Sequence, residues 1–186
     1  PTHPPTSKLP THPPPSNLPH SLSTVLSAPP CPPSEWIMGY THYWYFHKDT
    51  TFSTHEWSHL VELLQSLHSH FFPLLPWVLT GDKGNQVVMV DGGCETFLLA
   101  QRPFELFPTI PAGHGREAMV FQFCKTNRLD YDDFVVAALC LLYHEFPGKM
   151  VSMASDGNEL MWMTGRTLAG AILGKSVPMP PMSSED

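Results

Sequence analysis

Residues 119–157 read MVFQFCKTNRLDYDDFVVAALCLLYHEFPGKMVSMASDG, and the fold turns on them. Met119–Cys124 is a short run of β-favouring, mostly apolar residues, and Lys125–Leu129 is a polar link. Asp130 offers a helix N-cap, after which Phe134–Glu145 is apolar on nearly every side, so that helix has to be buried. Pro147 and Gly148 stop it, and Met150–Ala154 is a second strand. Two strands joined through a helix, if they share a sheet, run parallel with a right-handed connection. Their carboxyl ends then fall on one sheet edge, which is where open α/β sheets bind ligands.

The flanking sequence supplies the other elements. Gly39–His47 (GYTHYWYFH) alternates, with Thr41, Tyr43 and Tyr45 on one face and His42, Trp44 and Phe46 on the other, and is the first strand. Ser53 and Glu56 form a capping box, and Trp57, Leu60, Val61, Leu64, Leu67 and Phe71 recur at helical spacing up to Pro73. Gln86–Val90 and Glu95–Ala100 flank Asp91-Gly92-Gly93-Cys94 and read as a hairpin. Arg102–Arg116, with Pro103, Pro108, Pro111, Gly113 and Gly115, reads as a long irregular loop. Glu159–Leu173 is a last helix stopped at Gly174. The order β α β β β α β α predicts a single α+β domain with a mixed sheet over residues 38–176, and residues 177–186 read as a disordered tail.

Composition narrows the function classes. The 186 residues are 42% apolar and 15% charged, with 17 acidic and 10 basic side chains giving a net charge of −7. There is no basic run, so nucleic acid is excluded as a partner, and no apolar run reaches the roughly 20 residues of a membrane span. Twelve of the 21 prolines lie in residues 1–37, which hold one Lys, one Glu and no Gly. That segment favours polyproline II and reads as a disordered tail. It lacks the basic start and apolar centre of a signal peptide, so a cytoplasmic location is expected. Met38 precedes the first patterned segment and is the expected start of translation. Cys31, Cys94, Cys124 and Cys140 show no C-x-x-C spacing and read as free thiols of a reducing compartment.

Three constellations carry candidate chemistry. His55-Glu56-Trp57-Ser58-His59 matches the H-E-x-x-H pattern of zinc peptidases. At helical spacing His59 lies about 40° from His55, while Leu60, Leu64, Leu67 and Phe71 lie about 120–180° away, so the histidines face away from the core. Glu56 is already committed to the cap, and Glu62, His68 and His70 lack the spacing of a third ligand. No metal site is therefore expected. Cys124 could be a thiol nucleophile with His42, His114 or His144 as base, although a buried inert thiol is the expectation. The third constellation is the shared strand edge. There Cys124, Lys125, Thr126 and Arg128 meet Ser155, Asp156 and Gly157, with Tyr131, Asp132 and Asp133 in the first turn of the following helix. A helix N-terminus beside Lys125 and Arg128 suits an anionic ligand. His42 shares a face with Trp44 and Phe46 and is a further candidate. No G-x-G-x-x-G or G-K-[ST] loop names a nucleotide cofactor.

The segments Met38-Gly39-Tyr40-Thr41-His42-Tyr43-Trp44, Phe121-Gln122-Phe123-Cys124-Lys125-Thr126 with Tyr131-Asp132, and Ser155-Asp156-Gly157 resemble a small family of uncharacterised proteins of bacteria, phages and some fungi. The resemblance spans Met38 to about Gly174 and carries no activity. Ala154 stands where that pattern has a second serine before Ser155. The residues lead to a soluble intracellular binding or interaction module, its polar site at the sheet edge made from His42, Lys125, Thr126, Arg128, Asp132, Ser155 and Asp156. Its partner would be a small anionic ligand or a protein. The alternative is a small hydrolase-like enzyme using Lys125, Thr126, Asp132 and Asp156.

Overall fold

The structure is a computed structural model that describes residues 39–82, 85–113 and 117–182. The expected N-terminal tail, Met38, Cys31, His114 and residues 183–186 lie outside the described residues. The chain folds as an α+β domain with two sheets, in the order β1 (Thr41–His47), α1 (Thr54–Phe71), β2 (Trp77–Asp82), β3 (Asn85–Val90), β4 (Phe97–Ala100), α2 (Pro103–Leu106), β5 (Thr109–Ile110), β6 (Met119–Lys125), α3 (Asp132–Glu145), β7 (Met150–Ser155) and α4 (Met163–Leu173).

The larger sheet runs β5-β6-β1-β7. Strand β1 is antiparallel to both β6 and β7, so those two are parallel to each other with β1 inserted between them. The β6-α3-β7 crossover is thus present in a split form, and every pair of neighbouring strands in the sheet is antiparallel. The split has a consequence for function. The carboxyl ends of β6 and β7 share an edge with the amino end of β1, and His42 sits between Cys124 on one side and Ser155 on the other.

Alternation explains which face is inside. Trp44 and Phe46 on β1 and Val120 and Cys124 on β6 point inward and are fully buried. Helix α3 lies in the centre of the molecule, with every residue from Phe134 to Leu142 buried. This is the packing that its all-round apolar surface demands. Helix α1 covers the core with Trp57, Leu60, Leu64 and Leu67, and its capping box closes as expected: Glu56 N–H donates to Ser53 Oγ, and Ser53 N–H to Glu56 Oε2.

Several elements differ from the sequence expectation, each for a local reason. Strand β2 precedes the expected hairpin and pairs with β3, building a second sheet β2-β3-β4. Its Val78 and Leu79 are 43% and 46% exposed, so this edge strand shows no buried-polar alternation. The segment expected to be irregular holds α2, with Pro103 in its first turn, and β5, which pairs with Val120 and Met119. Helix α3 begins at Asp132 with Tyr131 rather than Asp130 in the cap position. Helix α4 begins at Met163, because residues 159–162 form turns tied by Asn158. Residues 177–182, expected as tail, pack on the domain: Val177 is buried, its carbonyl accepts from Arg166, the Pro178 carbonyl meets His144, and Met182 bridges to Met153.

Candidate functional site

The shared edge gathers side chains from three elements around His42. Strand β1 brings His42, which has no exposed surface; β7 ends on the half-buried Ser155; and α3 opens with Asp132. Asp132 Oδ1 lies 2.8 Å from His42 Nε2, and Ser155 Oγ lies 3.0 Å from His42 Nδ1. A serine, a histidine and a carboxylate are therefore connected in one hydrogen-bonded chain. Thr126, fully buried at the end of β6, donates its hydroxyl to the same Asp132 oxygen.

Four polar groups converge on Ser155 Oγ: His42 Nδ1, the Gly157 N–H, the Trp162 indole N–H and the Tyr40 hydroxyl. Ser155 Oγ already accepts from Gly157 N–H at 3.0 Å and from the Trp162 indole N–H at 3.3 Å. A hydroxyl has one proton, and the Ser155 proton can be given to His42 Nδ1. The imidazole then carries its own proton on Nε2 and donates it to Asp132. In that arrangement the serine proton faces an imidazole nitrogen whose ring is held on its far side by a carboxylate. These are the roles of nucleophile, base and orienting group. The imidazole uses its two nitrogens in the order opposite to that of the familiar serine protease chain, and either nitrogen can serve as base once its partner carries the proton.

Aromatic rings hold the imidazole in place. Tyr40 and Trp162 both meet it edge to face, at centroid distances of 5.2 and 5.4 Å. Burial, and after it the charge of Asp132, raise the Tyr40 phenol above its ordinary pKa, so it stays protonated. Its buried hydroxyl lies beside Ser155 and rests against Gly157, where a Cβ would lie 2.0 Å from that oxygen. Only glycine fits at position 157. Burial likewise raises the Asp133 carboxyl, with the charge of Asp132 adding to it.

Of the residues expected at the site, His42, Thr126, Asp132 and Ser155 are joined, and three are placed otherwise. The period of two along β6 puts Lys125 on the face opposite Cys124 and His42, with its side chain folded against Gly39. Asp156 closes the end of the β1–β7 ladder, accepting from Thr41 N–H at 2.8 Å while its own N–H donates to the Thr41 carbonyl. It caps no helix. Arg128 stacks on the outer side of the Tyr40 ring, 4.7 Å from its centroid. The expected cluster of Lys125, Arg128 and helix N-terminus is therefore not assembled, because Lys125 faces away and the first turn of α3 brings Asp132 and Asp133.

The other two constellations resolve into structure. Glu56 Oε2 takes the Ser53 N–H and the Lys149 ammonium, at 2.7 and 3.0 Å, and these hold its carboxyl below the usual range. His55 is exposed, His59 pairs with Glu145, His68 with the Leu75 carbonyl and His70 with the Ser66 carbonyl. Among the described residues no three His, Cys, Asp or Glu side chains gather as a metal site. Among the described residues Cys94, Cys124 and Cys140 form no disulfide with one another, and burial pushes Cys124 and Cys140 up to about 12, which leaves Cys124 unfit as a nucleophile at neutral pH. None of the described helices is long and apolar enough to cross a membrane.

The edge joins four of the residues expected there and adds Tyr40, Trp162 and a role for Gly157, which local pattern does not point to. Trp162 precedes α4, and nothing local signals that a turn carries its indole back to Ser155. No protein-family model, curated protein or solved structure matches the chain.

Proposed function

We propose that the protein is a small hydrolase that cleaves esters through an acyl-enzyme, with Ser155 as nucleophile, His42 as general base and Asp132 as the group that orients and charge-stabilises the imidazole. The observation that carries this reading is the Ser155–His42–Asp132 chain itself, assembled from residues 113 and 90 positions apart and aimed by two aromatic rings. In the first step Ser155 Oγ bonds to the ester carbonyl carbon while its proton passes to His42 Nδ1. The attacking lone pair is the one the Trp162 indole holds at 3.3 Å, the longer of the two donor contacts. The Gly157 and Trp162 N–H groups, already beside Oγ, then serve the oxyanion that forms next to it. The C–O bond to the leaving group breaks, His42 gives the departing alcohol its proton, and water repeats the sequence to release the acid and restore Ser155.

A second reading, an interaction module, draws on one observation. On the outer face of the larger sheet Tyr43, Tyr45, Phe121 and Phe123 stack at centroid distances of 5.3–6.3 Å, and Phe123 is 48% exposed. Hydrolysis of 4-nitrophenyl acetate separates the two. The wild-type chain should turn over, and Ser155→Ala should lower kcat/KM by about 10³-fold or more. A wild-type protein that is folded and inert, or a Ser155→Ala variant as active as the parent, would leave the interaction module standing.

A further inference from the structure

Two consecutive non-glycine residues, Asn127 and Arg128, adopt left-handed backbone with φ of 50° and 57°, and they are the only such residues among those described. A side chain other than Gly in this region is held there against a steric cost, so the surrounding structure dictates the conformation. Its effect is to turn the β6–α3 link so that the Arg128 guanidinium lies over Tyr40, its central carbon 4.7 Å from the ring centroid; the Tyr40 ring touches His42 and its hydroxyl rests on Gly157.

Arg128 is exposed, and its one hydrogen bond among the described residues goes to the Met161 sulfur, a weak acceptor, at 3.4 Å. It makes no ion pair with any described carboxylate. Three acidic groups of the same sheet edge have other partners: Asp132 holds His42 and Thr126, Asp156 takes the Thr41 N–H, and Glu95 takes the Lys125 N–H. A guanidinium over an aromatic ring, with only a thioether as hydrogen-bond acceptor, has further N–H donors to offer, and their fork matches a carboxylate. Lys125 cannot share the task, because it lies on the other face of β6.

We propose that Arg128 is a specificity residue that takes a carboxylate of the substrate, so that the enzyme prefers esters of dicarboxylic acids over neutral esters. The inference rests on the Ser155 centre described above. The reaction stays balanced: water and the mono-ester give the free dicarboxylate and an alcohol, while Arg128 changes no bond and acts in binding alone.

The test compares mono-4-nitrophenyl glutarate with 4-nitrophenyl acetate as substrates of the full chain. The expected result is a ratio of kcat/KM, glutarate over acetate, of about 10 or more in the wild type. In Arg128→Gln that ratio should collapse towards one through KM, and Arg128→Lys should recover part of it as a point charge without the fork. Melting curves check that both variants are folded. A wild-type ratio near one, or a ratio unchanged by Arg128→Gln, overturns the specificity role and leaves the serine centre intact. A wild type inert towards both esters overturns the serine centre and the specificity role together.

Discussion

Helix α1 and strand β1 both carry histidines, and they use them in opposite ways. On α1, His70 bonds to a carbonyl one turn back and His68 to one seven residues on. His55 is exposed, His59 pairs with Glu145 at the end of α3, and the glutamate between them serves the helix cap and Lys149. These contacts finish the helix and fasten its first turns to the end of α3 and the start of β7. On β1, His42 has no exposed surface, and both its nitrogens are bound by side chains that the fold brings from 90 and 113 positions away. A buried imidazole is stable only with such partners, since an unsatisfied buried ring nitrogen costs roughly 1–3 kcal/mol. The region rich in recognisable spacing thus makes architecture, and the solitary histidine makes the connected proton path.

The largest expected effect is at His42. His42→Gln keeps a polar side chain but removes the base between Ser155 and Asp132. It should lower ester kcat/KM by about 10³-fold, in the range that general bases contribute. It should also cost roughly 1–3 kcal/mol in urea unfolding, because Asp132 and the Ser155 hydroxyl lose a partner. A variant that loses stability while retaining the wild-type rate would make the chain a staple between β1, α3 and β7. The smallest effect belongs to α1. His55→Ala combined with His59→Ala should leave kcat/KM unchanged and stability within about 0.5 kcal/mol, as for surface substitutions generally. A large loss of activity there would reverse the contrast between the two regions.

Much of this arrangement is legible in the residues, and what is not has physical causes. The capping box, the buried α3 and the strand on each side of it are local patterns, and they appear where periodicity places them. The convergence of Thr126, Asp132 and Ser155 follows from the crossover, because two parallel strand ends must share an edge. That His42 stands between them depends on β1 entering the sheet between β6 and β7, and no local signal specifies strand order. Lys125 is set apart from that edge by the period of β6, which puts it on the face opposite Cys124. Trp162, brought to Ser155 by a turn, and β2, an edge strand with exposed Val78 and Leu79, depend on tertiary placement that no short window contains.

The central claim is that His42 activates Ser155. It is tested most directly by treating the intact protein with a fluorophosphonate, which bonds to an activated serine oxygen with loss of fluoride, and locating the added mass by peptide mapping. One phosphonate on Ser155 in the wild type is predicted, with none on Ser155→Ala and strongly slowed labelling in folded His42→Gln. A wild-type protein that stays unlabelled, or that carries the label on a different serine, would contradict it.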